Sequence, residues 1–404
     1  MPRASLALIA ALSLVVCLTL DLWLFPAGTS LPDEKRFLAS AADLAASGEF
    51  WVGKMRAWEM PGTEIFFAPF LKLFPGKTAA LMAIRMAQAI LVALQSMLIG
   101  SLAMRLFRDK TAAIIAALIA AFYPFYLFYQ GMALSETLFD FLLVAGIVLL
   151  YRWRDNGARI NLEMVLILVC LVAATMVKGV LTVMAPVLVA AAVIGRRPLP
   201  KAVKVFSAAA AIYCVLMSPW WIRNYVLLDA FVPFTTSASE NFYLGNSRGN
   251  PTGDPDWSPL SGDPLMSMPG ELARSKAYAN AAAEYIRSEP AAFASRMARK
   301  FLRYWNVVPN AESYSSPFYR IAAAASFGPV LLLAIAGGVL TRRRWRDFLP
   351  LYLLVLYFTA LHVVTIASLR YRLPIEAFLI VLAAWPAALL WRAIVHRLRP
   401  TKPV

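Results

Sequence analysis

Runs of about 20 apolar residues recur along this chain, and backbone in lipid must satisfy its own polar groups, so each run has to be a helix or a strand of a closed barrel. The ten-residue alternation of a barrel strand is absent, which leaves helices. Of the 404 residues, 60% are hydrophobic and 15% charged. A soluble chain of this length carries about 25% charged residues. The expected fold class is an all-α polytopic membrane protein, residues 1–404 forming one membrane domain.

Hydropathy sets the spans at 4–25, 79–104, 111–130, 134–151, 162–177, 180–195, 203–221, 321–340, 348–368 and 373–391, about ten in all. The stretch 162–195 reads either as two short helices or as a helix and a re-entrant piece. Residues 4–25 read as a retained helix, because Phe25-Pro26-Ala27-Gly28 is a poor cleavage site. With the N-terminus inside, every short basic connector falls on one face. These are Arg105/Arg108/Lys110, Arg152/Arg154/Arg159, Arg196/Arg197/Lys201, Arg342/Arg343/Arg344/Arg346 and the tail Arg397/Arg399/Lys402. That agreement is what the positive-inside rule expects. It also accounts for the net charge of +16 better than nucleic-acid binding does.

Two longer connectors then lie outside. In 26–78, Phe37, Leu38, Ala41, Leu44 and Ala45 share one helical face, giving a short interfacial helix that Gly48 ends. A second apolar stretch, Ile65 to Phe74, is expected to break at Pro69. In 222–320, residues 247–268 are irregular, and Glu271–Tyr304 is helical with an interruption at Pro290. Arg296, Arg299, Lys300 and Arg303 near its end suggest a basic amphipathic helix for anionic headgroups.

Charge returns repeatedly to this outer face. Leu31-Pro32-Asp33-Glu34-Lys35-Arg36 sits just past the first span, where a carboxylate held at the membrane surface can deprotonate a hydroxyl. Asp33 is the candidate catalytic residue, with Glu34, Glu59 and Glu136 as supporting acids. Lys178, Arg223, Arg370 and Arg372 are the candidate partners of a lipid-linked phosphate, Arg as a planar fork and Lys as a point charge. Tyr371, Asn241 and Asn246 are the candidates for sugar or acceptor contacts. Cys17, Cys170 and Cys214 each sit in an apolar run without a CxxC pair, and His362 and His396 lack a metal-ligand spacing.

Taken in order, several short motifs resemble the membrane-embedded GT-C glycosyltransferases. They are Asp33-Glu34, Phe122-Tyr123-Pro124 with Leu134-Ser135-Glu136-Thr137, Lys178 before a Pro-containing helix, Pro219-Trp220-Trp221-Ile222-Arg223-Asn224-Tyr225, Gly245-Asn246, Ala283-Glu284-Tyr285-Ile286 with Pro290 and Phe293, and Arg370-Tyr371-Arg372-Leu373-Pro374. More narrowly they are similar to the family 39/83-like group, the relatives of protein mannosyltransferases and lipid A aminoarabinose transferases. The resemblance implies a polyprenyl-phosphate sugar donor, transfer on the outer face of the plasma membrane, Asp33 as the catalytic carboxylate, and Lys178 and Arg370 near the donor phosphate. Glu59-Met60-Pro61-Gly62 departs from the His or Lys with Pro-Pro of many relatives, which argues against copying the aminoarabinose activity. Some relatives use a divalent metal. Asp33 and Glu34 with Glu136 could help bind one, but the sequence lacks a full ligand set. The acceptor is a glycan such as lipopolysaccharide, a lipid or a protein. The rival classes are a flippase or transporter of lipid-linked sugars, which would keep its polar site near the midplane on repeated, broken helices, and a scaffold of a polysaccharide assembly complex.

Overall fold

The computed structural model describes residues 3–25, 28–310 and 314–398; Pro26, Ala27, Arg399 and Lys402, used above, lie outside them. In chain order the helices are α1 (Arg3–Trp23), α2 (Pro32–Ser47), α3 (Gly62–Leu73), α4 (Lys77–Phe107), α5 (Lys110–Ala121), α6 (Pro124–Gln130), α7 (Glu136–Asp155), α8 (Leu162–Val177), α9 (Met184–Ala191), α10 (Leu199–Leu228), α11 (Ser237–Gly245), α12 (Glu271–Ser288), α13 (Pro290–Tyr304), α14 (Pro317–Thr341), α15 (Trp345–Val364) and α16 (Leu369–Leu398). The described residues contain no β-strand, only an isolated bridge between Val52 and Met55.

Local chemistry sets many of these ends. Pro32 opens α2 and Gly48, at φ 74°, closes it. Asp109 caps α5 through Ala112 N, and Asn161 caps α8 through Met164 N. Pro69 does not break α3, against the expectation, and the helix runs through it. In the 111–130 span the chain does bend, by 44° between α5 and α6, just before Pro124. Alanines 112, 113, 116, 117 and 120 of α5 are buried, as close helix packing without bulky side chains requires.

Among the described residues five helical stretches are long and apolar enough to cross a bilayer unaided, or six with α5 and α6 taken as one bent span. One of the five is Pro317–Val364, which reverses inside itself. Thr341 Oγ1 and Tyr352 Oη meet at 2.6 Å, whereas eleven residues of straight helix would separate their backbones by about 16 Å. The chain therefore turns at Arg342–Arg344, and α14 and α15 are two legs. Residues 162–195 also form two legs: α8 runs to Lys178, and the chain returns through a 3-10 turn and α9 to Gly195, packed on Arg346. The expectation of about ten spans is consistent with this course.

The basic connectors gather at one end of the bundle. Asp347 pairs with Arg196 and Arg344. Its carbonyl accepts from Arg154 and Tyr151. Arg105 pairs with Asp155, and Arg392 with Asp109. The opposite end carries α2, α3 and α11 to α13, tied into one cap. Glu271 accepts from Arg56 N at 2.6 Å, Ala57 N at 2.9 Å and Thr236 Oγ1 at 2.7 Å, which joins the first long connector to the second.

The basic face of α13 points the opposite way from the expectation. Arg296 and Lys300 are buried, and Arg303 faces Asp254, while Phe301 and Leu302 are exposed. Lys300 donates to Asn246 Oδ1, Val364 O and Thr365 O at 3.0, 3.2 and 2.6 Å. Three of the four bases are thus spent inside the protein, and only Arg299 is left for a headgroup.

Candidate active site

The capped end of the bundle holds a string of alternating charges. Asp33 stands in the first turn of α2. Its Oδ2 accepts from Arg370 Nη1 at 2.6 Å, and its Oδ1 from Arg36 Nη2, one turn further on, at 3.2 Å. Arg370 also donates through Nε to Glu136 Oε1, which accepts from Lys178 Nζ at 2.8 Å. On the other side Arg36 pairs with Glu59, and Glu59 lies against Glu64. The order is Glu64, Glu59, Arg36, Asp33, Arg370, Glu136, Lys178.

Electrostatics decide the protonation along it. Burial, then the neighbouring Glu59 charge, push the Glu64 carboxyl well above its ordinary range, and burial raises Glu59 as well, so this pair favours holding a proton. Burial alone would raise Asp33. Arg370 and Arg36 outweigh it and hold its carboxyl below the ordinary carboxylate range. The Asp33 side chain keeps 39% of its surface exposed against 1% for Glu136, so a ligand can reach the first and not the second.

Each member is fixed from behind. Gln88 Nε2 donates to Gln130 O at 2.6 Å and Met132 O at 2.7 Å, which holds the turn before Glu136. Gly62 lets α3 start against the backbone of Met176, where a Cβ would sit 2.6 Å from that carbonyl carbon, bringing Glu59 and Glu64 towards the end of α8. Past Lys178, Thr182 adopts φ 42°, which is strained for a β-branched residue. Hydrogen bonds from Tyr213 to its carbonyl and between its hydroxyl and Tyr357, 2.7 Å each, hold it there. The Trp58 ring lies 4.8 Å from the Arg36 guanidinium, and its Nε1 donates to Glu240 at 2.8 Å.

The fold has solved counterparts. The chain matches an archaeal oligosaccharyltransferase, AglB from Archaeoglobus fulgidus in complex with an inhibitory peptide and a dolichol-phosphate, at TM-score 0.58 and 14% identity, over 100% of this chain and 52% of that one. The same organism's enzyme tethered with an acceptor peptide matches at 0.61 and 14%, over 97% and 50%. ArnT from Cupriavidus metallidurans bound to undecaprenyl phosphate matches at 0.52 and 17%, over 96% and 62%. The fold is that of the GT-C glycosyltransferases. Residues 72–236 also match the family model described as dolichyl-phosphate-mannose-protein mannosyltransferase. No curated protein sequence matches the chain. It spans about half to three fifths of the length of these GT-C structures.

Within the GT-C bundle, five of the sequence-selected residues meet: Asp33, Glu59, Glu136, Lys178 and Arg370. Four others are committed elsewhere. Glu34 is fully buried; its Oε2 accepts from Ser30 N and Leu31 N, and its Oε1 from Ala133 N, at 2.8 to 2.9 Å. It is an N-terminal box and a tie between loops, not a supporting acid. Arg372 is fully buried, pairs with Glu376 at 2.6 Å, donates to Tyr304 O and Asn306 O, and lies on the Phe327 ring. It has no face towards a phosphate. Arg223 donates to Phe50 O and Arg56 O and stacks on Trp220, so it pins the first long connector. Asn246 is buried between Lys300, Phe242 O and Val364 O and does not offer its amide to a sugar. Asn241 is half-buried on α11, outside the string. Tyr371 stacks on His362 at 4.9 Å, next to Arg370.

The sequence reading passed over Arg36, Glu64 and Asp140 as site members. Arg36 was legible as the i+3 partner of Asp33. Asp140 was legible as i+4 from Glu136 on the same face of α7. It is buried below Lys178 with neither oxygen hydrogen-bonded among the described residues. Nothing local marked Glu64. A divalent metal does not fit these donors. Asp33 and Glu136 are bridged by a guanidinium, Glu34 is spent on backbone amides, and the described residues hold no group of three ligating side chains.

Proposed function

We propose that the protein is an inverting glycosyltransferase that moves a sugar from a polyprenyl phosphate to a hydroxyl acceptor at the outer face of the plasma membrane. The observation that carries this reading is Arg370 shared between Asp33 and Glu136, with Lys178 on the same Glu136. A reachable carboxylate stands beside two cations at one end of an apolar bundle. Single displacement at an anomeric carbon needs a base on one side and a charge acceptor on the other.

The acceptor oxygen attacks the anomeric carbon, Asp33 takes its proton, and the bond from that carbon to the phosphate oxygen breaks with its electron pair leaving on the phosphate. Arg370 and Lys178 meet the charge that develops there. A phosphate leaving group needs little protonation, so one base suffices. Before the donor arrives, Arg370 keeps Asp33 ionised but weakly basic. A phosphate that draws on the same guanidinium leaves the carboxylate more basic at the moment it is needed.

Two neighbours support the donor class by what they bind, a dolichol-phosphate in one and undecaprenyl phosphate in the other. The clustering of basic connectors at the far end supports an outward-facing site. The reading is tested by mass spectrometry of lipids and envelope glycans from a deletion strain complemented with wild type or Asp33→Asn. One sugar mass lost and restored only by wild type is the expected result. Full restoration by Asp33→Asn would overturn it.

A further inference from the structure

A second concavity lies in the cap, away from the charged string. It has a volume of about 580 Å³ and opens to solvent between the C-terminal end of α11, the loop 247–263 and α12. Its walls combine Tyr243 and Tyr285 with Asp263, Glu284, Arg248 and Ser261. Ser247 closes the floor; its hydroxyl is buried and has no hydrogen-bond partner among the described residues.

We infer that this cavity binds the saccharide part of the acceptor, so that the acceptor is a glycan. The inference rests on the glycosyltransferase reading above. The lining chemistry selects the ligand class. The one cation, Arg248, is paired with Glu289, and Asp263 accepts from Tyr243 Oη and Leu265 N. Among the described lining residues there is no cluster of cations for a phosphate, and the wall is too polar for a lipid chain. Carboxylate and hydroxyl groups arranged around tyrosine rings suit a neutral, hydroxyl-rich ligand, because each sugar hydroxyl both donates and accepts. The orphan Ser247 hydroxyl is a group whose cost such a ligand would relieve.

The position fits an acceptor subsite. Tyr243 lines the cavity, and Glu240, one turn earlier on α11, holds Trp58 under Arg36, the partner of Asp33. On its far side α11 packs Leu244 against Ile366, in the link that leads into Arg370. One short helix therefore lines the cavity and braces neighbours of Asp33 and Arg370. A glycan seated in the cavity would be held by sugars that do not react, while its terminal hydroxyl reaches the base.

Full-length protein in nanodiscs is titrated with two probes. One is fluorescently labelled envelope polysaccharide released by mild acid from the deletion strain. The other is undecaprenyl phosphate. Wild type is expected to bind both. Ser261→Trp and Glu284→Ala, both at exposed positions, should weaken polysaccharide binding at least tenfold and leave undecaprenyl phosphate unaffected. Wild type that binds no polysaccharide, or variants that bind it as wild type does, would overturn the inference. Undecaprenyl phosphate binding that Arg370→Ala abolishes keeps the glycosyltransferase reading standing in that case; its absence from wild type would count against that reading instead.

Discussion

Arg370 Nη1 lies 2.6 Å from Asp33 Oδ2, joining two residues 337 positions apart. The contact links the first turn of α2 to the first turn of α16. Both helices begin at the same end of the bundle, so the pair closes the chain on itself at the site.

Removing the bridge should damage both fold and chemistry. Arg370→Ala leaves Glu136 buried with Lys178 alone and frees Asp33 from its stronger partner. Breaking a fully buried pair from one side costs about 3 to 5 kcal/mol, and the loss here should be smaller because Lys178 stays on Glu136 and Arg36 on Asp33. A lower unfolding midpoint in detergent and loss of undecaprenyl phosphate binding are expected. The double variant Arg370→Met/Glu136→Gln should lose less stability than the two single changes summed, which a double-mutant cycle reads directly.

Asp33 and Glu34 should separate cleanly. Asp33→Asn keeps the shape of the side chain and should keep the fold, while transfer falls by about 10²- to 10⁴-fold, the usual worth of a general base. Glu34→Ala removes the acceptor of three backbone N–H groups, each left unsatisfied at about 1 to 3 kcal/mol. Its unfolding midpoint should drop, with the turnover of each folded molecule near wild type.

Arg372 should behave as an interior residue although it stands two positions from Arg370. Arg372→Ala strands Glu376 and should destabilise strongly. Arg372→Met/Glu376→Leu replaces the whole pair by apolar groups and should recover much of the loss. Undecaprenyl phosphate affinity of the folded double variant should match wild type. A tenfold loss would return Arg372 to the phosphate site.

The pH dependence has a fixed sign. Unfolded, Asp33 titrates near the ordinary value of about 3.9. Folded, it titrates lower. Between the two values the folded form binds fewer protons, so this pair's stability is present above the ordinary range and is lost as pH falls through the lower value. In Arg370→Gln the folded value should lie closer to the unfolded one, and the Asp33-linked loss of stability in acid should shrink. In kinetics, the acid limb of kcat/KM reports the free enzyme, with Arg370 on Asp33. The limb of kcat reports the donor complex and should lie at higher pH.

The sequence carried the architecture. Apolar run lengths, the alternation of basic and long connectors, and the Pro and Gly punctuation at residues 32, 48 and 290 are local signals, and each acts within a turn or a span. Five members of the charged string were legible because a charge at the end of an apolar helix is costly and rarely idle.

Which of two neighbouring charges joins the charged string was decided by the tertiary structure alone. Asp33 and Glu34, or Arg370 and Arg372, read alike in sequence. On a helix, positions one and two apart point about 100° and 200° away from each other. Asp33 and Arg370 turn to the open end of the bundle, while Glu34 and Arg372 turn to backbone amides and to Glu376. Helical phase against a packed neighbour is set by every contact of the bundle at once. Spacing fixes where charges stand on one helix, and only the assembled fold fixes what they face.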